Sequence, residues 1–145
     1  MITAATDTQM QTWERAEIER SSVEATLTPD AALRVTQRTC ERYSAPPADT
    51  VYPLEYAYHL LGDVTGKRVV DFGCGSGANT VLLANRGASV VGVDISADLI
   101  GLARRRLDVS GRARGAEFVV GPLLRPEVTQ LVGHSLLPVP VLALN

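Results

Sequence analysis

The sequence predicts an α/β protein built on a parallel sheet, and three observations predict it. Two valine-rich runs, KRVVDFG and ASVVGVDIS, have the composition of buried strands, and a third, AEFVVG, follows them. The segments between them, ANTVLLANRG and SADLIGLARRRLDVSG, read as helices. Gly73, Gly75 and Gly77 alternate where the first run ends, the pattern of a strand turning abruptly into a helix. Two strands joined through a helix form a right-handed parallel unit. Repeated, that unit makes half of a doubly wound sheet.

The expected architecture is a Rossmann-like, doubly wound parallel sheet, incomplete with three clear strands, preceded by N-terminal helices. Taken in order, residues 1–10 are small and polar and are expected to fray. TWERAEIERSSVEATL reads as a polar helix with few apolar anchors. TPDAALRVTQRTCERY reads as a second, with Thr28 as N-cap, Pro29 in the first turn, Asp30 at the positive end of the dipole, and Ala32, Leu33, Val35 and Thr36 as a partial face. SAPPADT is a break. PLEYAYHLLG is a short helix from Pro53 to a stop at Gly62. ANTVLLANRG ends at Gly87, and Ser96 caps the helix carrying Asp98 in its first turn. The tail fits poorly: LLPVPVLAL is apolar, but Pro138 and Pro140 cannot donate to a ladder, so an edge or irregular segment is expected. The organisation is then a helical segment over 1–48, a cofactor half-domain over 49–121 and an irregular tail over 122–145.

Length and composition narrow the function. The 145 residues suit one domain, and 46% hydrophobic with 21% charged residues promises a packed core. A net charge of −2 speaks against a nucleic-acid or membrane surface spread over the protein. No apolar run approaches a membrane span, and the N-terminus lacks the basic-then-apolar order of an export signal. Cys40 and Cys74 lack metal-ligand spacing, so no metal is expected, and reduced thiols in a cytoplasmic protein are the default.

The glycines carry the chemistry. A strand-to-helix turn presents the free N–H groups of the helix, and glycine lets a ligand approach the backbone. Asp94 ends the second strand about 20 residues beyond Gly73, where an acid accepts hydrogen bonds from ribose hydroxyls. Loop and acid together mean a nucleoside-containing cofactor. Gly73, Gly75 and Ala78 also satisfy the dinucleotide form G-x-G-x-x-G/A, which keeps a nicotinamide-dependent oxidoreductase open. Against it, Asp71 lies two residues before the first glycine, where a carboxylate would repel a pyrophosphate and attract a cation. A non-catalytic module pairing through its sheet edge is the third reading.

VVDFGCGSGANTVLLANRGASVVGVDIS resembles the first two motifs of class I S-adenosylmethionine-dependent methyltransferases, an acid followed by G-x-G-x-G. GDVTGKRVVDFGCGSG matches that family's lead-in, and the resemblance covers residues 50–121. It implies S-adenosyl-L-methionine as cofactor and methyl transfer to a small-molecule acceptor. The implied cofactor-binding residues are Asp71, Phe72, Gly73, Cys74, Gly75, Gly77, Asp94 and Ile95. In that family Asp71 would lie near the methionine amino group, often through water. Gly73, Cys74, Gly75 and Gly77 would pass beneath methionine and ribose, Asp94 would hold the ribose hydroxyls, and Ile95 would pack on the adenine.

No catalytic base can be named. His59 reads as packed or surface, His134 falls in the tail, and Tyr43, Tyr52, Tyr56 and Tyr58 read as core, with Tyr52 the candidate pocket wall. Arg104, Arg105, Arg106, Arg112 and Arg114 read as a solvated face at a helix C-terminus. Two departures from the family stand out. Pro122 replaces the acid that commonly follows the third strand, the next acid being Glu127, and the chain ends near where a fourth strand would lie. A truncated domain is therefore expected, its first strand lacking a neighbour and its exposed edge open to oligomer formation.

Overall fold

A computed structural model of the chain describes residues 7–111, 113–122 and 141–142. The valine runs form the sheet: β1 (Arg68–Phe72), β2 (Ser89–Asp94) and β3 (Ala116–Val120), all parallel, in the order β3-β2-β1. Two helices make the crossovers, α5 (Ala78–Asn85) between β1 and β2 and α6 (Ala97–Val109) between β2 and β3. Both crossovers step in the same direction, so their right-handedness puts both helices on one face. Strand alternation fits this. Val69 and Val90 join Leu82 and Leu83 in one cluster, while Val70 and Val93 form another with Phe72. Phe118 of β3 packs with Val81, Ile100 and Ala103 under α6.

A short strand, β4 (Val141–Leu142), pairs in parallel with the other side of β1, through Val70↔Val141 and Asp71↔Leu142. The expectation that β1 would lack a neighbour is corrected here: over these two residues its edge is paired. The chain runs outward from β1 to β3 and then returns to the far side of β1. That reversal makes a topological switch point between β1 and β4, and crevices for ligands open there at the carboxyl ends of the strands. The glycine loop follows β1 directly.

The helices preceding the sheet differ from expectation in detail. The helix α1 (Asp7–Leu27) already includes residues 7–10, expected to fray, while 1–6 lie outside the described residues. The expected second helix is two, α2 (Asp30–Leu33) and α3 (Gln37–Ser44). Thr36 is extended at φ −81° and caps α3, accepting from the Thr39 N–H at 3.2 Å, so it is no part of an apolar face. The break is held from outside: the Val35 N–H donates to Ser110 Oγ at 2.9 Å and Arg106 donates to the Leu33 carbonyl at 2.7 Å. Pro29, not Thr28, is the N-cap of α2, because the Thr28 hydroxyl is turned back to the Glu24 carbonyl at 2.8 Å. Leu33 completes a buried cluster with Leu99 and Leu102 of α6.

The fourth helix, α4 (Pro53–Leu61), starts on its proline and stops at Gly62, as read. It buries Tyr58 completely beneath α5. The polar helix α1 lies along α6, and the Ser22 hydroxyl donates to the Asp98 carboxylate. Ser21 beside it is fully buried with its hydroxyl unsatisfied, a cost of about 1–3 kcal/mol for that contact. Among the described residues no helix is long and apolar enough to cross a membrane.

Candidate cofactor-binding site

The loop after β1 is pinned from several directions. The Gly73 and Cys74 N–H groups both donate to the Val93 carbonyl, at 2.8 and 3.0 Å, and the Gly77 N–H donates to the Cys74 carbonyl at 2.9 Å. Gly77 is the N-cap of α5 with φ +75°. A Cβ there would stand 2.8 Å from Ala103 Cβ and 2.9 Å from the Phe118 ring, so this glycine serves strand–helix packing. Gly75 is different. Its φ is +53°, and a Cβ would meet nothing within 4 Å. The space beside Gly75 is open, which is the condition for a ligand lying on the backbone.

Asp94 ends β2 opposite this loop. One carboxylate oxygen accepts from the Gly75 N–H at 2.9 Å and the other from the Ser96 N–H at 2.9 Å. Each oxygen retains a lone pair for a further donor. Ser96 itself caps α6, accepting from the Leu99 N–H at 3.2 Å. Arg106 ties down the rest of the loop, donating from Nε to the Ser76 carbonyl at 2.6 Å and from Nη2 to Ser76 Oγ at 3.1 Å. This corrects its expected place on a solvated face: it braces the glycine loop. Arg104 reaches the Phe118 carbonyl, Arg105 pairs with Asp30, Arg114 is exposed, and Arg112 lies outside the described residues.

Asp71 is buried, with 2% exposure, and its Oδ2 accepts from Thr80 Oγ1 at 2.6 Å. Burial raises its carboxyl to about pH 6, against the lowering effect of the Thr80 hydrogen bonds. The folded value lies above the ordinary aspartate value near 3.9, so the folded state holds the proton more tightly. That contribution is complete below about pH 4 and is lost as the pH rises through 6. Asp71→Asn should therefore gain stability relative to the wild type as the pH rises from 4 to 7, by on the order of 2–3 kcal/mol. Urea unfolding of both proteins at pH 4.5 and 7.5 checks this, and an equal difference at both values would refute it.

A cavity of about 420 Å³ lies over the loop, within the range of small-molecule sites. Of the residues expected to bind cofactor, Gly73, Cys74, Gly75 and Asp94 line it. The other four are placed elsewhere. Asp71 lies beneath the loop, Phe72 packs with Val70 and Val93, Gly77 is covered by Ala103 and Phe118, and Ile95 is half-buried just beyond β2. Burial pushes the Cys74 thiol up, with the charge of Asp71 adding to it, so Cys74 lines the cavity as a neutral thiol.

The opposite wall is α1, through Glu17, Arg20 and Glu24. These residues were not anticipated. Their spacing of three and four places them on one face of a helix, a charged stripe readable from sequence, but nothing in the sequence says what that stripe faces. His59 and the four tyrosines do not line this cavity. His59 Nδ1 is 2.9 Å from the Pro46 carbonyl, in a second cavity of about 530 Å³ near Gly62 and Arg86, at the opposite end of the sheet. Tyr52 is exposed under the Arg42 guanidinium, while Tyr58 donates to Asn79 Oδ1 at 3.1 Å. His134 and Glu127 fall outside the described residues.

Glycine loop, fixed carboxylate and switch point coincide in a stretch matched by a known family: the model described as "Methyltransferase domain" aligns with residues 69–130. That stretch is similar to a methyltransferase domain, in line with the resemblance its motifs carry. Over 71 residues the chain is 50% identical to the magnesium-protoporphyrin O-methyltransferase of Rhodobacter capsulatus, covering 49% of this chain and 31% of that protein. Over 67 residues it is 37% identical to the ubiquinone biosynthesis O-methyltransferase of Nitrosomonas europaea, covering 45% and 28%. Phosphoethanolamine N-methyltransferase 1 of Haemonchus contortus, solved with phosphoethanolamine and S-adenosylhomocysteine, shares the fold. Its TM-score is 0.52 at 21% identity, over 81% of this chain and 22% of that one. The chain thus spans under a third of the length of these two curated relatives.

Proposed function

We propose that the chain is the cofactor-binding part of a class I S-adenosylmethionine-dependent methyltransferase, that it binds S-adenosyl-L-methionine in the cavity between α1 and the glycine loop, and that it serves methyl transfer to an oxygen of a small-molecule acceptor. The observation that carries this reading is the Asp94 carboxylate. Two backbone N–H groups fix it at the end of β2, one of them from Gly75, the loop glycine with open space beside it. A carboxylate so fixed, lining the cavity with a lone pair left on each oxygen, suits a pair of ribose hydroxyls.

The fit extends to charge. Glu17, Glu24 and Asp94 surround the cavity with three carboxylates against one guanidinium, Arg20. That field favours a cationic nucleoside and opposes a diphosphate. When bound, the cofactor would supply an electrophilic methyl group on a sulfonium, transferred to the acceptor with the neutral thioether as leaving group. What the chain contributes is orientation and exclusion of water. Asp94 holds the ribose, the loop from Gly73 to Gly75 gives close backbone contact, and α1 covers the site. Asp71 acts on the loop from below, by its charge and by anchoring Thr80 at the start of α5. On this reading residues 49–121 are the cofactor-binding half and the preceding helices close over it.

The names of the two relatives, both O-methyltransferases, support an oxygen acceptor. Cys40 and Cys74 are both free, which suits the cytoplasm. Calorimetric titration of the full chain with S-adenosylhomocysteine and, separately, with NAD tests the proposal. Saturable binding of the first and silence with the second are expected. The reverse result would replace the reading with a nicotinamide enzyme.

A further inference from the structure

We infer that Arg106 of α6 is a positioning residue that couples the glycine loop to the N-terminal helices, so that a ligand on the loop and the docking of residues 30–36 favour one another. The inference rests on the S-adenosylmethionine reading above.

The guanidinium holds two segments that are distant in sequence. Its Nε and Nη2 donate to the carbonyl and the hydroxyl of one residue, Ser76, at 2.6 and 3.1 Å. Its Nη1 donates to the Leu33 carbonyl at 2.7 Å. Ser76 lines the cavity, between Gly75, whose N–H goes to Asp94, and Gly77, the cap of α5. Leu33 closes α2, and a carbonyl in the last turn of a helix has no donor within that helix. None of residues 30–36 lines the cavity. Two contacts join them to it: Leu33 packs against Leu99, a cavity residue, and Arg106 ties Leu33 to Ser76. Apolar packing is non-directional, whereas the hydrogen bonds of a guanidinium fix angles as well as distances.

The fork is planar and rigid, so Ser76 and the Leu33 carbonyl cannot shift independently while both stay bound. All three acceptors are neutral oxygens, and half-burying a guanidinium among neutral partners is costly. Burial accordingly holds Arg106 below the usual arginine value, with Glu24 of the cavity wall opposing the effect. Two residues beyond Leu33, the Val35 N–H donates to Ser110 Oγ at 2.9 Å, so the end of α6 grips the break between α2 and α3 at two points. Coupling of this kind is reciprocal: whatever docking of the break does for ligand affinity, the ligand does for docking.

Amide hydrogen exchange of the full chain, with and without saturating S-adenosylhomocysteine, reads the coupling. In the wild type the ligand should slow exchange over both 73–77 and 30–36, in the second by about 5-fold or more, the lower end of typical couplings. In Arg106→Met, and in Arg106→Lys, which keeps the charge but not the fork, the ligand at saturation should still protect 73–77 but no longer 30–36. Ser110→Ala leaves Arg106 in place and frees the Val35 N–H, so it should lower S-adenosylhomocysteine affinity by about 5-fold although Ser110 lines no part of the cavity. That arm stands even where an Arg106 variant does not fold. Residues 30–36 that ignore the ligand in the wild type, equal protection of them in the Arg106 variants, or wild-type affinity in Ser110→Ala would each overturn the inference and leave cofactor binding intact. Wild-type protein that binds no S-adenosylhomocysteine would overturn the S-adenosylmethionine reading itself, together with the inference resting on it.

Discussion

Asp94→Ala is expected to lower S-adenosylhomocysteine affinity by 100-fold or more and to weaken methylthioadenosine equally. The carboxylate does two things at once. On the proposed reading it offers lone pairs to the ribose, and charged hydrogen bonds of that kind contribute about 1.5–3 kcal/mol each. It also receives the Gly75 and Ser96 N–H groups, so its removal frees the glycine loop as well as the ribose. Two lost contacts at the lower end of that range already amount to about 3 kcal/mol, or roughly a hundredfold in affinity. Asp94 is half-buried at the rim of the sheet, so the variant should still fold. Titration of both ligands into the variant measures the effect, with circular dichroism to show the fold intact. Retained affinity would remove the central support for the proposed cofactor.

Gly77→Ala should act on stability instead. A non-glycine residue at a left-handed φ costs about 1–2 kcal/mol, and the added methyl would lie 2.8 Å from Ala103 Cβ and 2.9–3.0 Å from the Phe118 ring. Neither neighbour is the loose end of a flexible side chain. Overpacking of that kind costs a further 1–3 kcal/mol, so a total near 3 kcal/mol is expected. For a domain with a typical stability of 5–15 kcal/mol that is a large share. Gly75→Ala makes the comparison. It carries the same backbone strain with open space beside it, so its stability loss should be smaller while its ligand affinity falls. Equal urea midpoints for the two variants would show that the packing contact at Gly77 does not matter.

These two glycines show what could be read and what could not. The alternating glycines announced a turn from strand to helix, because it needs backbone without side chain, and for the same reason led to the expectation of a ligand upon it. They looked alike in sequence. The fold divides them: Gly77 is buried under α6 and β3, which lie far along the chain, and Gly75 faces the cavity. Asp71 and Asp94 likewise read as a pair of acids beside the loop. One turned inward to Thr80 and took up a raised pKa, and the other turned to the loop N–H groups. Strand alternation sets which face Asp71 points to, but that this face is dry depends on α5 folding over it.

Strand positions, the stops at Gly62 and Gly87 and the cap at Ser96 were determined locally, by valine content, glycine and a single hydroxyl at the right offset. Tertiary structure alone decided which charges would meet. Arg106 left its arginine cluster to brace Ser76, Thr36 became a cap where its neighbours broke the helix, and the Glu17–Arg20–Glu24 stripe came to rest over the glycine loop. The reason is one of range. A turn or a cap is settled by atoms within a few residues, whereas the partner of a charge is whatever the packing of α1, α2 and α6 brings across the gap.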